Sequence, residues 1–353
     1  MRITRLDGIR ALAIGFVFLH HAGIFPPGWM GVDLFFVLSG YLITGILRRA
    51  RNDSSFWKPF YIKRATRILP PLIWCFLGTT LVCSSAWRKW GLYYLLFAAD
   101  VAVAIRPEAA CALGVLWSLA VEEHFYFIWP FAVRLLNKSQ LIRILIAVIV
   151  LEPILRAIFT PIVRSHMWFI YSFSLFRFDS LAAGSLLALF LEEPRAKSVL
   201  HKWAYKTFIV STLVLIAGLS SPVFRRGANS ILFNSLGYSL VTLCAVSFVA
   251  YVLIKDGSIL SRFLSSRPFV FLGTISYGFY LVHYIFVLLI AGIAPKIGIR
   301  SALLSDLIAF VFSVVFSALS FYLYEGPINK WGHRTAKKVL ARSVSDSSVV
   351  IPS

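Results

Sequence analysis

The chain has 353 residues, of which 59% are hydrophobic and only 14% are charged. A soluble domain carries about 25% charged residues, so this composition excludes an ordinary soluble protein and predicts an all-α polytopic membrane protein. The formal net charge of +20 is better explained by cationic loops that orient membrane helices than by nucleic-acid binding.

The first apolar segment, Leu6 to Phe25, contains both a cation and a titratable base. A helix turns about 100° per residue, so Arg10 and His21 lie within roughly 20° of one stripe and roughly 16 Å apart along the axis. Asp7 lies one turn before Arg10 and is placed to pair with it. His20 is rotated by about 80° from the stripe and is expected to face a neighbouring helix. We interpret the stripe as part of a pathway through the membrane.

Apolar runs along the chain predict ten membrane spans. They lie near residues 9–25, 32–47, 68–86, 115–133, 141–161, 168–191, 207–222, 231–254, 269–292 and 302–324. The segment 91–105 is short for a span and contains Asp100, so we expect residues 87–114 to be external or re-entrant. With this count the strongly cationic loops all lie in the cytoplasm, together with both termini. Residues 1–329 form the predicted transmembrane domain, and residues 330–353 a disordered cytoplasmic tail.

Three ionisable side chains fall in the outer half of the predicted helix bundle. Spans two and four both begin outside, which places Asp33 near His21 and puts Glu122 at a similar depth. Glu122 shares a helical stripe with Ser118 and Tyr126, so it is favoured over the glutamate that follows it. A histidine beside a carboxylate is suited to general-base catalysis, because the carboxylate fixes the tautomer and stabilises the imidazolium.

Cations gather at the opposite, cytoplasmic end of the predicted bundle. Arg10 lies at this end with Lys63, Arg64 and Arg67. Guanidinium groups suit phosphate, so the cluster predicts an anion site. Two simpler interpretations stay open: Arg10 and Asp7 as a helix-end ion pair, and the loop cations as topological anchors.

Other polar residues within the spans have structural interpretations. Arg177 and Asp179 are expected to form a buried ion pair, and His283 is expected to belong to an aromatic belt. The cysteines show neither a CxxC pair nor the spacing of metal ligands, so we expect buried thiols and no metal site. They are Cys75, Cys83, Cys111 and Cys244.

An ordered set of motifs resembles the membrane acyltransferase 3 family, whose members include enzymes that acetylate surface polysaccharides. The motifs are RLDGIRALA at 5–13 followed by His21, GVDLFFVLSGYLIT at 31–44, FYIKRATRILP at 60–70, WSLAVEEHFY at 117–126, RFDSLAAG at 177–184, GTISYGFYLVH at 273–283 and YEGP at 324–327. Two positions depart from the family pattern, because Leu116 stands where threonine is common and His124 where glutamine is common.

The resemblance implies transfer of an acyl group from cytoplasmic acyl-CoA to a hydroxyl of an extracytoplasmic glycan. By position, the family's proposed catalytic histidine falls on His21, the arginine of the same helix on Arg10, and the cytoplasmic arginines on Arg64 and Arg67. The glutamate of the fourth motif falls on Glu122. Some members carry a fused hydrolase-like domain, and since these residues include none, we expect any second transfer step to need a partner protein.

The resulting hypothesis is an O-acyltransferase of the bacterial inner membrane, with no permanently bound cofactor and with acyl-CoA, in the simplest case acetyl-CoA, as donor. The loop cations, Lys63 included, would hold the CoA phosphates, and the pantetheine arm would follow the Arg10 stripe. His21, oriented by Asp33 or Glu122, would take the proton of the acceptor hydroxyl.

Several alternatives stay open at this point. Transfer is either direct or through an acyl-histidine. The acceptor is a glycan or glycolipid, or alternatively a small molecule or a lipid head group. A secondary transporter also suits charges within membrane spans, although no repeated halves are visible in the sequence. The oligomeric state cannot be read from the sequence.

Overall fold

The structure is a computed structural model that describes residues 3–349, except for 108–110, 164–165, 223, 225–226 and 228. The described part is mostly helical, with no strand, which confirms the predicted all-α class. Its α-helices are α1 (Thr4–His21), α2 (Gly31–Arg49), α3 (Trp57–Val82), α4 (Ser84–Leu95), α5 (Ala99–Ile105), α6 (Leu116–Leu135), α7 (Lys138–Phe159), α8 (Met167–Ser172), α9 (Phe178–Leu191), α10 (Pro194–Leu219), α11 (Tyr238–Ile254), α12 (Ile259–Leu264), α13 (Arg267–Ile293), α14 (Ala302–Ser320) and α15 (Gly326–Val349).

Seven helical segments among the described residues are long and apolar enough to cross a membrane. They are Pro26–Arg49, Trp57–Val82, Cys111–Leu135, Pro194–Leu219, Phe233–Ile254, Arg267–Ile297 and Ala302–Ala341. The chain is thus a multi-pass membrane protein by length and composition of its helices.

The other three predicted spans differ from these seven in charge or continuity. Helices α1 and α7 have 18 and 22 residues, and they carry three and four charged residues, respectively. The predicted span 168–191 is divided into α8, a 3-10 turn at Ser174–Phe176, and the 14-residue α9. The count of ten and the cytoplasmic termini therefore stay predictions. The expected disordered tail, residues 330–353, is helical as far as Val349, and the domain division at residue 330 stays a prediction.

The chain forms two compact units, the first comprising Met1–Gly45 and Cys83–Thr274, the second Ile46–Val82 and Ile275–Ser353. In the first unit an apolar core joins α1, α2, α11 and α12, through buried residues such as Ile9, Val37, Val249 and Leu264. In the second unit α15 packs along α3, where Gly332 leaves room for the side chain of Thr66.

Two glycines set the approach of α2 to α9 in the first unit. A Cβ on Gly40 would collide with the carbonyl oxygen of Leu181, and a Cβ on Gly184 with that of Val37. The two helices therefore touch backbone to backbone. The hydroxyl of Ser185 also donates to the Gly40 carbonyl at 3.3 Å.

Candidate active site

The N-terminal helix α1 presents the predicted Arg10–Asp7 ion pair. Arg10 Nη1 lies 2.8 Å from Asp7 Oδ1, and the Asp7 side chain is buried. The pair forms because the residues lie one turn apart on one face of the helix, which confirms that prediction. Asp7 thereby holds the guanidinium against the helix surface.

The two histidines at the end of α1 have different surroundings. His20 Nδ1 donates to the carbonyl oxygen of Pro26 at 2.8 Å, in the 3-10 turn that follows α1. His20 therefore bonds to the start of the next helical segment, Pro26–Arg49. His21 is the last residue of α1 and is half-buried, with its ring centroid 5.4 Å from that of His20. The catalytic role of His21 stays a prediction.

The carboxylate of Asp33 is fully buried and binds an arginine. Arg177 Nη2 lies 2.6 Å from Asp33 Oδ1, and the hydroxyl of Ser180 donates to the same oxygen at 3.0 Å. Among the described residues, the second oxygen, Oδ2, has no hydrogen-bond partner. The predicted ion pair of Arg177 with Asp179 is therefore wrong, because α2 brings Asp33 to the guanidinium. The role of Asp33 in orienting His21 stays a prediction.

Aromatic rings surround the Arg177 guanidinium on its remaining sides. Its Nε and Nη1 find no hydrogen-bond acceptor in the part of the chain that the structure describes. The carbon of the guanidinium instead lies 4.8–5.9 Å from four ring centroids, which compensates part of the lost hydration through cation–π attraction. These rings belong to Phe36, Trp117, Tyr171 and Tyr238.

Asp179 belongs to a second buried ion cluster that the sequence analysis missed. Arg156 Nη2 lies 2.8 Å from Asp179 Oδ2, and Arg156 Nη1 lies 3.6 Å from Glu152 Oε2. The backbone N–H of Asp179 also donates to Glu152 at 2.9 Å. The available signal was a glutamate and an arginine four residues apart in the apolar second half of α7. We interpret this cluster as structural, since its three side chains are buried and bind one another.

Glu122 lies on the face of α6 that meets α2. Its carboxylate accepts hydrogen bonds from Ser39 Oγ at 2.6 Å and from the Tyr126 hydroxyl at 3.2 Å. The bond to Tyr126 confirms that these residues share a stripe of α6. Further along the same contact, Trp129 Nε1 donates to Thr44 at 2.8 Å. Both of these donors are neutral hydroxyls.

The predicted cationic residues of the second unit lie along the start of α3. Lys63 lines a cavity of about 320 Å³, together with Arg49, Asp53 and two phenylalanines. The guanidinium carbon of Arg64 lies 5.9 Å from the ring centroid of Phe60, one of those phenylalanines. Arg67, one turn after Lys63, is exposed. The predicted site is thus divided between the units: the candidate base and carboxylates belong to the first, and the α3 cations to the second.

Two of the expected free thiols form a disulfide, Cys83–Cys111. The expectation of four thiols is therefore wrong for these two, whereas Cys75 and Cys244 are free. The two cysteines are 28 residues apart in sequence, so their spacing did not indicate the pairing. Among the described residues, no group of histidine, cysteine and carboxylate side chains suits a metal ion.

A further polar chain was also missed, and it joins three elements of the first unit. Ser174 Oγ donates to Asp100 Oδ2 at 2.6 Å and lies 2.8 Å from His124 Nδ1. The sequence analysis noted Asp100 and His124 separately, as an acidic residue in a short segment and as a departure from a family motif. Their proximity depends on a third element, the turn Ser174–Phe176.

Comparison with known proteins accounts for the order of these motifs. The model of the family described as "Acyltransferase domain" matches residues 3–323. The chain is 28% identical to the peptidoglycan O-acetyltransferase OatA of Listeria monocytogenes over 94% of its own length, and 26% identical to the O-acetyltransferase OatA of Staphylococcus aureus over 99%. The chain spans 56% and 62% of these relatives. No solved structure matches it.

The match runs through all the segments that carry the candidate residues of α1, α2, α3 and α6. It confirms the resemblance that the motifs indicated. The chain belongs to the acyltransferase domain family.

Proposed function

We propose that this chain is an O-acyltransferase that moves an acetyl group from acetyl-CoA to a hydroxyl of a cell-surface glycan of the peptidoglycan type, in the bacterial inner membrane. The observation that carries the proposal is the match to the acyltransferase domain family over residues 3–323, together with relatives that are O-acetyltransferases. By the resemblance of its motifs, the family's histidine, arginine and glutamate would fall on His21, Arg10 and Glu122.

The donor is proposed to bind at the start of α3. The 320 Å³ cavity beside Lys63 is large enough to take part of a nucleotide, and Arg49 and Lys63 supply positive charge along its wall. Arg64 lies close by on the same helix. Charge-assisted hydrogen bonds from these groups would hold the CoA phosphates. Arg10 is proposed to contact the acyl arm of the donor. Asp7 supports this role, because it holds the Arg10 guanidinium in place.

The chemistry is proposed to need one base. His21 takes the proton of the acceptor hydroxyl while that oxygen attacks the thioester carbonyl, and a tetrahedral intermediate forms. The intermediate collapses to the acetyl ester and expels the CoA sulfur, which receives the proton back from His21. Transfer in one step is the simplest form, and an acyl-histidine is the alternative.

Glu122 is the better candidate to stabilise the His21 imidazolium. The charge of Asp33 is compensated by Arg177 at 2.6 Å, which leaves it little attraction for a second cation. Glu122 accepts hydrogen bonds from Ser39 and Tyr126, which hold its carboxylate in place on α6. We therefore assign the supporting role to Glu122 and a structural role to Asp33.

The test uses the full chain in nanodiscs with acetyl-CoA and the pentamer of N-acetylglucosamine. Mass spectrometry measures the acetylated sugar, and a thiol reagent measures released CoA. We expect acetylated product from the wild type, a loss of about 10²–10⁴-fold in His21→Ala, and near wild-type rates in His20→Ala as matched control. Release of CoA without any acetylated sugar would overturn the glycan acceptor. Absence of CoA release would favour the alternative that the protein is a transporter. A His21→Ala enzyme with the wild-type rate would show that His21 is not the catalytic base.

A further inference from the structure

Helix α15 carries a dense run of basic residues. Between residues 330 and 338 it has five basic side chains and no carboxylate, namely Lys330, His333, Arg334, Lys337 and Lys338. Basic residues at the end of a membrane helix often do no more than orient it. The packing of α15 on α3 distinguishes some members of this run from the others.

Contacts along α15 fix its register against α3. A Cβ on Gly332 would collide with the hydroxyl of Thr66, so the two helices touch there. One turn further on, Ala336 is fully buried, and after another turn Leu340 lines the cavity of about 320 Å³ beside Lys63. The contacts move back along α3 as they advance along α15, so the two helices are antiparallel.

The basic residues of α15 divide around this packed face. At about 100° per residue, His333 lies about 60° and Lys337 about 100° from the centre of the face, so both side chains can reach α3. Arg334 and Lys338 lie about 160° from it, on the opposite side of the helix. His333 and Lys337 are both exposed, so a ligand has access to them.

His333 and Lys337 form one cluster with cations of α3. His333 interacts electrostatically with Lys63 and Arg67 of α3 and with Lys337 of its own helix. Glu325, a buried carboxylate just before α15, interacts with Arg67 and offsets part of its charge. Lys63 and Lys337 add further like charge, and a bound anion stabilises such a group by relieving the repulsion.

The cavity beside this cluster combines an apolar wall with positive charge. Its apolar lining includes Phe56, Phe60 and Leu340, and its charged lining consists of Arg49, Lys63 and Asp53. Aromatic rings suit the stacking of a nucleobase, and basic side chains suit the phosphates attached to it. The combination favours a nucleotide over an isolated phosphate or a lipid head group, neither of which has a base to place there.

We propose that α15 forms a second wall of the donor site, where His333 and Lys337 bind a phosphate of the adenosine 3′,5′-bisphosphate end of CoA. Lys63 and Arg67 bind the same nucleotide from α3, and the base packs on the phenylalanines of the cavity. This nucleotide carries phosphate at two positions of its ribose, so cations on two helices can hold it at once. The inference rests on the proposed function in taking CoA as the donor, and it adds two donor-binding residues from another helix.

The experiment measures binding of adenosine 3′,5′-bisphosphate by isothermal titration calorimetry, with the full chain in nanodiscs of a zwitterionic lipid. Lys337→Ala is expected to raise Kd about tenfold and His333→Ala about threefold, because each removes a phosphate contact. Lys337→Arg keeps the charge and should bind nearly as the wild type does. Lys338→Ala is the matched control on the opposite side of α15 and should leave Kd unchanged. No binding to the wild type, no loss in Lys337→Ala, or equal losses in Lys337→Ala and Lys338→Ala would overturn the proposal.

Inorganic phosphate and acetyl-CoA separate the remaining outcomes. Phosphate has no base to stack, so we expect it to bind at least about tenfold more weakly than the nucleotide. Equal affinities would indicate a general phosphate site and overturn the assignment to the donor. Release of CoA by the wild type, together with a wild-type Kd in Lys337→Ala, would overturn this inference and leave the proposed function standing. Nucleotide binding that depends on Lys337, without any CoA release from acetyl-CoA, would support the site and overturn the proposed acyl transfer.

Discussion

Arg177 and Asp33, which are 144 residues apart in sequence, form an ion pair at 2.6 Å in which neither side chain is exposed. The pair joins the beginning of α2 to the beginning of α9, within a cage of aromatic rings. A buried charge that loses its partner is left without hydration or counter-charge. Each of the two charges is therefore tolerated in the protein interior only while the other is present.

Removing either charge should destabilise the first unit. Arg177→Met and Asp33→Leu are each expected to lower the free energy of unfolding by about 3–5 kcal/mol, because an uncompensated charge remains buried. The double variant should be more stable than either single variant, since both charges are then absent. Thermal unfolding in detergent measures these changes. A folded Asp33→Asn protein with unchanged Tm and abolished transfer would contradict the structural role that we assign to Asp33.

Glu122→Gln should lower kcat by about 10²-fold while KM for acetyl-CoA stays unchanged. The amide keeps an oxygen for Ser39 and Tyr126 but removes the negative charge that would stabilise an imidazolium. Initial rates at varied acetyl-CoA measure both constants. Glu123→Gln is the matched control, since the next residue is rotated by about 100° on the helix. Equal losses in the two variants would mean that neither glutamate has this specific role.

Lys63→Ala and Arg64→Ala should weaken donor binding. Each removes a charge-assisted contact to a phosphate, so we expect KM for acetyl-CoA to rise about tenfold or more, with a smaller dependence on salt concentration. Lys58→Ala, at an exposed lysine of the same helix, is the control. If all three variants bind acetyl-CoA as the wild type does, the α3 cations are topological anchors and the donor binds elsewhere.

The disulfide provides a test of both stability and topology. Cys83→Ser should lower the free energy of unfolding by about 2–4 kcal/mol, because the segment between the cysteines is no longer closed in the unfolded chain. Disulfides persist on the oxidising side of a bacterial membrane. After mild reduction, a membrane-impermeant maleimide should therefore label Cys111 of the wild type in intact cells. Labelling only after permeabilisation would place this segment in the cytoplasm and reverse the predicted orientation.

The glycines between α2 and α9 should tolerate no added methyl group. Gly40→Ala is expected to lower the free energy of unfolding by about 1–3 kcal/mol, because its Cβ meets the Leu181 carbonyl and the helices must separate. Gly15→Ala is the matched control on α1, where a Cβ meets nothing within 4 Å. That change should stabilise the helix by up to about 1 kcal/mol. Identical Tm shifts in the two variants would contradict the close approach of α2 and α9.

The features that the sequence predicted correctly depend on neighbours within one helix. Asp7 meets Arg10 and Glu122 meets Tyr126 because helical geometry brings residues three or four apart onto one face. The all-helical class follows in the same way from long apolar runs. The ordered motifs, which are local by nature, indicated the family that the comparison confirmed.

The features that the sequence missed depend on which helices become neighbours. Asp179 lies two residues from Arg177 in sequence, but each of them pairs with a charge of another element. Asp179 pairs with Arg156 of α7, and Arg177 pairs with Asp33 of α2. The Cys83–Cys111 disulfide was missed for the same reason, because the sequence does not show which segments become neighbours.

The amino-acid sequence by itself determined that the chain is a helical membrane protein of an acyltransferase family, since composition and motif order are properties of the chain alone. Only the tertiary structure decided the partners of the buried charges. Burial makes an unpaired charge costly, so each one takes the partner that helix packing places beside it, whatever the distance along the chain.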